Sequence, residues 1–116
     1  MMRDKKKDGV VIDHQTGLIW QKKYTKLLKW NDAIAYPASL GVGWRLPTVS
    51  ELFGIVDFGR EDPTCQFSGM LGKRFWSSSF ASGSSSAWYV AFDLGYVSYG
   101  NRTYYNHVRC CRSSDK

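Results

Sequence analysis

The sequence predicts an α+β domain with two helices and a small antiparallel sheet joined by long loops. Three observations predict this class. Two short β-prone segments flank a turn at Gly17, Thr48 and Glu51 form a helix capping box, and residues 87–94 alternate between two faces as a strand does. A chain of 116 residues suffices for one core, so residues 9–112 are expected to form one domain. We expect residues 1–8 to be a disordered basic tail and residues 113–116 a second tail.

The first predicted element is a β-hairpin. Residues 9–12 and 18–21 are short apolar segments, and Gly17 between them is free to take the positive φ that closes a turn. His14 lies in this turn. We expect the His14 side chain to face solvent or to form hydrogen bonds within the turn, in preference to binding a ligand.

The first predicted helix begins at Trp30. Trp30, Ala33, Ile34 and Ala38 follow an i, i+3, i+4, i+8 spacing, which is typical of a short amphipathic helix. Pro37 falls inside this pattern and should bend or end the helix, because proline lacks the backbone N–H that the next turn needs.

The second predicted helix follows the segment Trp44 to Pro47, in which Trp44 and Leu46 should point into the core. The Thr48 hydroxyl can accept from the Glu51 amide while the Glu51 carboxylate reaches back to the Thr48 amide. Gly59 is a plausible C-terminal cap. The expected apolar stripe of this helix is Leu52, Phe53, Ile55 and Val56.

The second half of the chain is predicted to be mostly sheet. Residues 60–72 read as a loop, residues 75–78 as the start of a sheet, and residues 81–86 as a flexible turn. The strand at 87–94 puts Trp88, Val90, Phe92 and Leu94 on one face. Residues 107–112 read as a closing strand in which Val108 and Cys110 point inward while Arg109 and Cys111 point outward.

The net charge of +6 favours an anionic partner such as an acidic or sulfated glycan over a cationic one. We do not expect nucleic-acid binding, because a soluble surface with a frayed basic end is the better explanation of the charge. The lysines that would carry polyanion binding lie in one short segment: Lys22, Lys23, Lys26 and Lys29.

No apolar run reaches the length of a membrane span, and the N-terminus is charged where a signal peptide would be apolar. The protein is therefore cytoplasmic or assembled into a virion, or the chain is a piece of a longer exported protein. The sequence does not choose among these locations, and the cell surface or a virion is the location that we expect.

Signals for catalysis are weak. The nucleophile elbow, the zinc-protease motif, the phosphate-binding loop and the dinucleotide fingerprint are all absent. His107 and Cys110 would point to opposite faces of a strand, so they cannot form a thiol–imidazole pair. With two histidines far apart and three cysteines without zinc spacing, we expect no metal and no cofactor. The sequence therefore predicts a protein that is not an enzyme.

The segment from Tyr96 to His107 has the composition of a recognition surface. Tyrosine gives a large amphipathic contact area with few rotatable bonds, and small polar residues adapt to the partner. An ordinary exposed hairpin rich in β-forming residues has the same composition, and composition alone does not separate the two. The predicted ligand-contacting residues are Tyr96, Ser98, Tyr99, Asn101, Arg102, Tyr104, Tyr105 and Asn106, with Tyr89 and Asp93 beside them.

A set of short motifs runs in order along the chain and covers about residues 9–112. They are Asp13-x-x-Thr16-Gly17-Leu18-x-Trp20, Trp30-x-x-Ala33, Trp44-Arg45-Leu46-Pro47-Thr48, Glu51-Leu52, Phe75-Trp76-Ser77-Ser78, Ala87-Trp88-x-Val90-x-Phe92, Gly95 and Val108-Arg109-Cys110. This set resembles the C-terminal domain of bacterial collagen-like adhesins, the Lcl C-terminal domain family. The resemblance implies a C-type-lectin-like fold with paired terminal strands and a long-looped sheet that carries the ligand.

The resemblance implies two kinds of binder, with a protein or glycan ligand on a target surface. Some members of the family are adhesins for sulfated polysaccharides. Others are variable proteins of diversity-generating retroelements, including those of phages, in which adenine-directed mutagenesis diversifies the C-terminal segment. The residues that such codons yield make up nearly all of the 96–107 segment.

One departure from the family concerns its cysteines. Members usually carry a cysteine in the first helix that partners the Val-Arg-Cys cysteine, and the matching position here is Pro37. Cys110 is then either a buried free thiol or the partner of Cys65. The fold's distant resemblance to formylglycine-generating enzymes leaves an enzyme as a third class, which the diverging Cys110 and Cys111 disfavour.

Overall fold

A computed structural model describes residues 9–57, 73–81 and 83–113. The tails predicted at residues 1–8 and 114–116, the loop at 60–72 and the cap at Gly59 lie outside the described residues. Within them the chain is an α+β domain, as predicted, but it has two three-stranded antiparallel sheets instead of one small sheet. None of the helices in these ranges is long and apolar enough to cross a membrane.

The first sheet has the order β1-β2-β6, with β1 at Val10–Asp13, β2 at Leu18–Gln21 and β6 at Cys111–Ser113. The N-terminal hairpin is confirmed. Gly17 has φ +77° and its amide donates to the Asp13 carbonyl at 2.9 Å. His14 is exposed in this turn. Because β6 runs to Ser113, the expected C-terminal tail starts one residue too early.

The helices lie between the sheets in sequence. Helix α1 spans Trp30–Ala35 and continues as a 3₁₀ helix at Tyr36–Leu40, with Pro37 in the first 3₁₀ turn, where its missing N–H is tolerated. Helix α2 spans Val49–Phe53 and has the predicted capping box: the Glu51 amide donates to Thr48 Oγ1 at 3.1 Å, and the Thr48 amide donates to Glu51 Oε1 at 2.9 Å.

The end of α2 differs from the prediction. Gly54 closes the helix, and the amides of Ile55 and Val56 then donate to carbonyls three residues earlier, which tightens the backbone. Leu52 and Ile55, three residues apart on one face, are buried, whereas Phe53 lies next to Leu52 on another side of the helix and is 39% exposed. The prediction that Phe53 belongs to the buried stripe was therefore wrong.

The second sheet has the order β3-β4-β5, with β3 at Arg74–Phe80, β4 at Ser86–Ala91 and β5 at Tyr96–Asn101. Strand β4 is shorter than predicted, because residues 92–95 turn the chain back. The Gly95 amide donates to the Ala91 carbonyl at 2.8 Å, and Gly95 has φ +79°. Leu94, predicted on the apolar face of a strand, is consequently 71% exposed in this turn.

Residues 108–111 pass between two apolar clusters and are fully buried. Cys111 belongs to the cluster formed with Trp20, and Cys110 belongs to the cluster formed with Trp30. The predicted outward orientation of Arg109 and Cys111 was wrong, because both sides of this segment are covered. Arg45 pairs with Cys111 through two backbone hydrogen bonds, and the Arg109 side chain donates to the Gln21 carbonyl.

Candidate functional site

The segment predicted to recognise a ligand begins with strand β5, which pairs with β4. Tyr99 lies opposite Trp88, and their rings make an edge contact with centroids 5.1 Å apart. Tyr99 is 61% exposed, and Val97 on the same face is also exposed. One face of β5 therefore presents the Tyr99 ring, which packs against Trp88 of the neighbouring strand.

The opposite face of β5 carries Tyr96 and Ser98, and beside them the ring of Tyr104 lies over Gly100. A Cβ atom at Gly100 would be 2.9 Å from Tyr104 Cδ2, so only glycine leaves room for the ring in this position. Tyr89 lies beneath, 7% exposed and in edge contact with Trp76. Tyr89, predicted to lie beside the contact surface, is thus a buried ring of the core in this structure.

Asn101 and Arg102 hold the turn that follows β5. Asn101 Oδ1 accepts from the Thr103 amide at 2.9 Å and from the Thr103 hydroxyl at 2.7 Å. The Arg102 guanidinium lies over the rings of Trp30 and Phe80, at 4.7 and 4.9 Å from their centroids, and donates to the Ser84 carbonyl. Both side chains, predicted to contact ligand, are engaged in fixing the loop.

Tyr104 and Tyr105 extend from this fixed turn and are 58% and 57% exposed. Asn106 next to them is only 5% exposed, contrary to the prediction of a surface position, because its backbone pairs with Leu28 in both directions. Among the described residues the Asn106 side-chain nitrogen has no hydrogen-bond partner. A buried polar group in this state costs about 1–3 kcal/mol.

A cleft of about 320 Å³ opens beside Tyr105 and Asn106. It is formed where the start of β3, the turn after β4 and the segment before β6 meet, since the Arg74 carbonyl accepts from the His107 amide and the Lys73 carbonyl accepts from the Phe92 amide. Sequence reasoning missed this grouping, because no spacing in the chain connects its segments. The lining residues are Leu27, Lys73, Arg74, Asp93, Tyr105, Asn106 and His107.

The described residues do not form a thiol–imidazole pair. His107 Nδ1–H donates to the Thr25 carbonyl at 2.7 Å, and the ring packs between Tyr24 and Phe75. Cys110 and Cys111 are free thiols, and burial raises the pKa of each to about 12, so both are protonated at neutral pH and are poor nucleophiles. Cys65, the cysteine with which Cys110 was predicted to pair if it is not free, lies outside the described residues.

No group of three or more His, Cys, Asp or Glu side chains with metal-binding geometry occurs in residues 9–57, 73–81 and 83–113. Glu51, which follows the Trp44–Thr48 motif, instead stabilises the fold through an ion pair. Arg45 donates to both carboxylate oxygens of Glu51, at 2.7 and 2.8 Å. This hydrogen bonding lowers the pKa of Glu51 and ties the chain before α2 to its first turn.

The four lysines of the predicted polyanion site are exposed on the segment between β2 and α1. This segment lies against the Tyr-rich end of the domain. Leu28 pairs with Asn106, and Lys29 Nζ lies 5.7 Å from the centroid of the Tyr105 ring. The structure thus brings one lysine of the predicted polyanion site, Lys29, into contact with one tyrosine of the predicted recognition surface, Tyr105.

The comparisons with known proteins agree with the sequence motifs. A family model described as the Lcl C-terminal domain matches residues 9–112. No curated protein and no solved structure matches the sequence significantly.

Proposed function

This chain belongs to the Lcl C-terminal domain family, and from that premise we propose that it is a non-enzymatic, adhesin-type domain that binds a protein or glycan ligand through its Tyr-rich surface. The observation that carries the proposal is the exposure of tyrosine rings on a fixed scaffold. The exposed rings are Tyr96, Tyr99, Tyr104 and Tyr105. The proposed fold class within α+β is C-type-lectin-like, as the family resemblance implies.

The scaffold supports binding because it limits the entropy lost when a ligand is bound. Tyr99 leans on Trp88, Tyr104 sits over Gly100, and Arg102 is held between two aromatic rings. Rings held in this way offer contact area and hydroxyl groups at a low ordering cost. Tyr99 and Tyr104 lie toward opposite faces of β5, so the proposed contact surface wraps around this strand.

The test is the simultaneous replacement of Tyr99, Tyr104 and Tyr105 by alanine. Glycan and protein arrays identify a ligand first, and we expect the triple variant to lose binding to it while the circular dichroism and melting temperature show a folded domain. Ile34→Ala, which removes an exposed apolar side chain on α1, is the control and should bind as the parent does. Retained binding by the folded triple variant would contradict the proposal.

We further propose that this surface is diversified, as in variable proteins of diversity-generating retroelements. Apart from Val97, the exposed positions of residues 96–105 are of the types that adenine-directed mutation yields, whereas Trp76, Val90, Phe92 and Val108 are fully buried and would stay fixed. Deep sequencing of the gene should show variation confined to the exposed positions, with a near-copy template close by. A uniform segment without a template would exclude diversification and leave the binding proposal standing.

A second candidate function is adhesion to sulfated or acidic polysaccharides. It is favoured by the four exposed lysines between β2 and α1 and by the contact of Lys29 with Tyr105. Ionic strength separates the two candidates, since charge-driven contacts weaken steeply with added salt and aromatic contacts do not. Replacing Lys22, Lys23 and Lys26 by glutamine should abolish binding only if the polyanion mode operates.

A further inference from the structure

The cleft beside Tyr105 contains groups of three chemical kinds. Lys73 and Arg74 provide two cations, Asp93 provides one carboxylate, and the rest of the lining includes the apolar side chain of Leu27 and the ring of Tyr105. Leu27 and Tyr105 are 50% and 57% exposed. A pocket with an apolar wall and a few polar groups of both signs is the usual form of a small-ligand site.

The charged groups of the cleft are not neutralised by one another. Among the described residues neither Lys73 nor Arg74 forms an ion pair with a carboxylate. The central carbon of the Arg74 guanidinium lies 5.4 Å from the centroid of the Tyr89 ring. This cation–π contact leaves the N–H groups of the guanidinium available to an acceptor. Asp93 Oδ1 accepts from the Leu94 amide at 2.9 Å, and its second oxygen has no partner in the described part of the chain.

Asn106 provides the observation that points to a ligand. Asn106 lines the cleft and is 5% exposed, and its side-chain nitrogen has no hydrogen-bond partner among the described residues. A buried polar group of this kind is stabilised when a ligand supplies the missing partner.

We propose that this cleft binds the α-carboxylate of an apolar amino-acid residue, either free or at the C-terminus of a polypeptide. The carboxylate accepts hydrogen bonds from Arg74, Lys73 and the Asn106 amide, which form the donor-rich side of the cleft. The nitrogen next to the α-carbon donates to the free oxygen of Asp93. The apolar side chain packs against Leu27 and the Tyr105 ring.

An α-carboxylate fits this lining better than an acidic sugar does. An acidic sugar can stack its C–H face on the Tyr105 ring, but its hydroxyl-bearing edge would then meet the apolar side chain of Leu27, at a cost in desolvation. An amino-acid residue presents an acceptor, a donor and an apolar group in three directions. The inference rests on the proposed binding function and names the ligand chemistry for one part of that surface.

The experiment is a titration of the ¹⁵N-labelled protein, followed by amide chemical shifts at constant ionic strength. N-acetyl-leucine represents a C-terminus and leucine represents the free amino acid. N-acetyl-leucinamide lacks the carboxylate, acetate lacks the N–H group, and glucuronate represents an acidic sugar. We expect N-acetyl-leucine or leucine to shift the Asn106 side-chain amide and the His107 backbone amide, and the stronger binder of the two identifies the source.

Variants test the assigned contacts. Arg74→Gln and Asp93→Asn should each weaken N-acetyl-leucine or leucine binding about tenfold or more, as expected for loss of a hydrogen bond to a charged group. Arg112→Gln, which makes the same change on β6 away from the cleft, should leave the affinity unchanged.

Three results would overturn the inference: no cleft shifts with either amino-acid ligand, equal shifts with N-acetyl-leucinamide or acetate, or tighter binding of glucuronate. These outcomes are distinguishable from failure of the proposed function. If the Tyr99, Tyr104 and Tyr105 variant loses its array-identified ligand while the cleft ignores both amino-acid ligands, the surface binds and the cleft assignment is wrong. If the cleft binds an amino-acid ligand while the Tyr variant keeps its array-identified ligand, the cleft assignment stands and the proposed Tyr-rich contact surface is wrong.

Discussion

Replacing Gly100 by alanine should displace Tyr104 from the surface of the sheet. The new Cβ would lie 2.9 Å from Tyr104 Cδ2 and 3.4 Å from Tyr89 Cε2. Carbon atoms pack best at about 3.5–4.0 Å, so the Tyr104 contact must lengthen by roughly 0.6 Å or more, whereas the Tyr89 contact is only about 0.1 Å short. Tyr89 is held in the core and Tyr104 is 58% exposed, so Tyr104 is the ring that moves.

The cost of this displacement should lie at the lower end of the range for overpacking. Overpacked sites lose about 1–3 kcal/mol, and we expect about 1 kcal/mol for Gly100→Ala because an exposed ring can swing away. In a domain of this size that corresponds to a melting temperature lower by about 4 °C. Binding of the array-identified ligand should weaken as well, because the Tyr104 ring is displaced from its position over Gly100.

A double-mutant cycle in urea isolates the contact. With Tyr104→Ala in the background, the clash is gone, and Gly100→Ala should become neutral or slightly stabilising, since alanine has the smaller backbone entropy in the unfolded chain. The coupling free energy is therefore expected to be about 1 kcal/mol. An equal loss of stability from Gly100→Ala with and without the Tyr104 ring would refute the reasoning.

Three further predictions concern the scaffold. Thr48→Ala removes the N-cap of α2 and should lower the free energy of unfolding by about 1 kcal/mol in urea titrations, with Thr48→Ser as the conservative control. Hydrogen bonding to Arg45 lowers the pKa of Glu51 below its ordinary 4.5, so the ion pair contributes fully to stability above pH 4.5 and its contribution is lost as the pH falls through the folded-state pKa. The difference in unfolding free energy between the parent and Glu51→Gln should therefore shrink in acid. A difference that stays constant with pH would contradict this assignment. Cys110 and Cys111 have pKa values of about 12, raised mainly by burial, so their peptide should resist alkylation in the folded protein at pH 8 and react once urea unfolds it, as measured by mass spectrometry.

The elements that the sequence predicted correctly depend on neighbours in the chain. Gly17 closes the hairpin with Asp13 four residues away, Pro37 ends α1 within its own turn, and Thr48 and Glu51 cap α2 across three residues. The family motifs run along the chain in the same way, and the match over residues 9–112 agrees with them. The α+β class and the N-terminal hairpin followed from these local patterns, whereas the limits of β4 and β6 did not.

The errors share a different cause. Arg109 and Cys111 were placed outward because alternation assumes that one face of a strand meets solvent, whereas both faces of this segment are covered. Tyr89 and Asn106 were expected to be exposed on the contact surface because of composition, and both are buried by partners distant in sequence. Asn106 lies instead in the wall of the cleft.

The sequence by itself determined the class of the domain, its family and the Tyr-rich segment offered for binding, because turns, caps and motifs act over a few residues. Only the tertiary structure decided which of those residues are exposed. It also decided that Arg74, Asp93 and Asn106 line one cleft, since they come from three segments joined by backbone pairing across β3 and the chain before β6. Such pairing depends on long-range packing of the whole domain, and no local pattern in the chain encodes it.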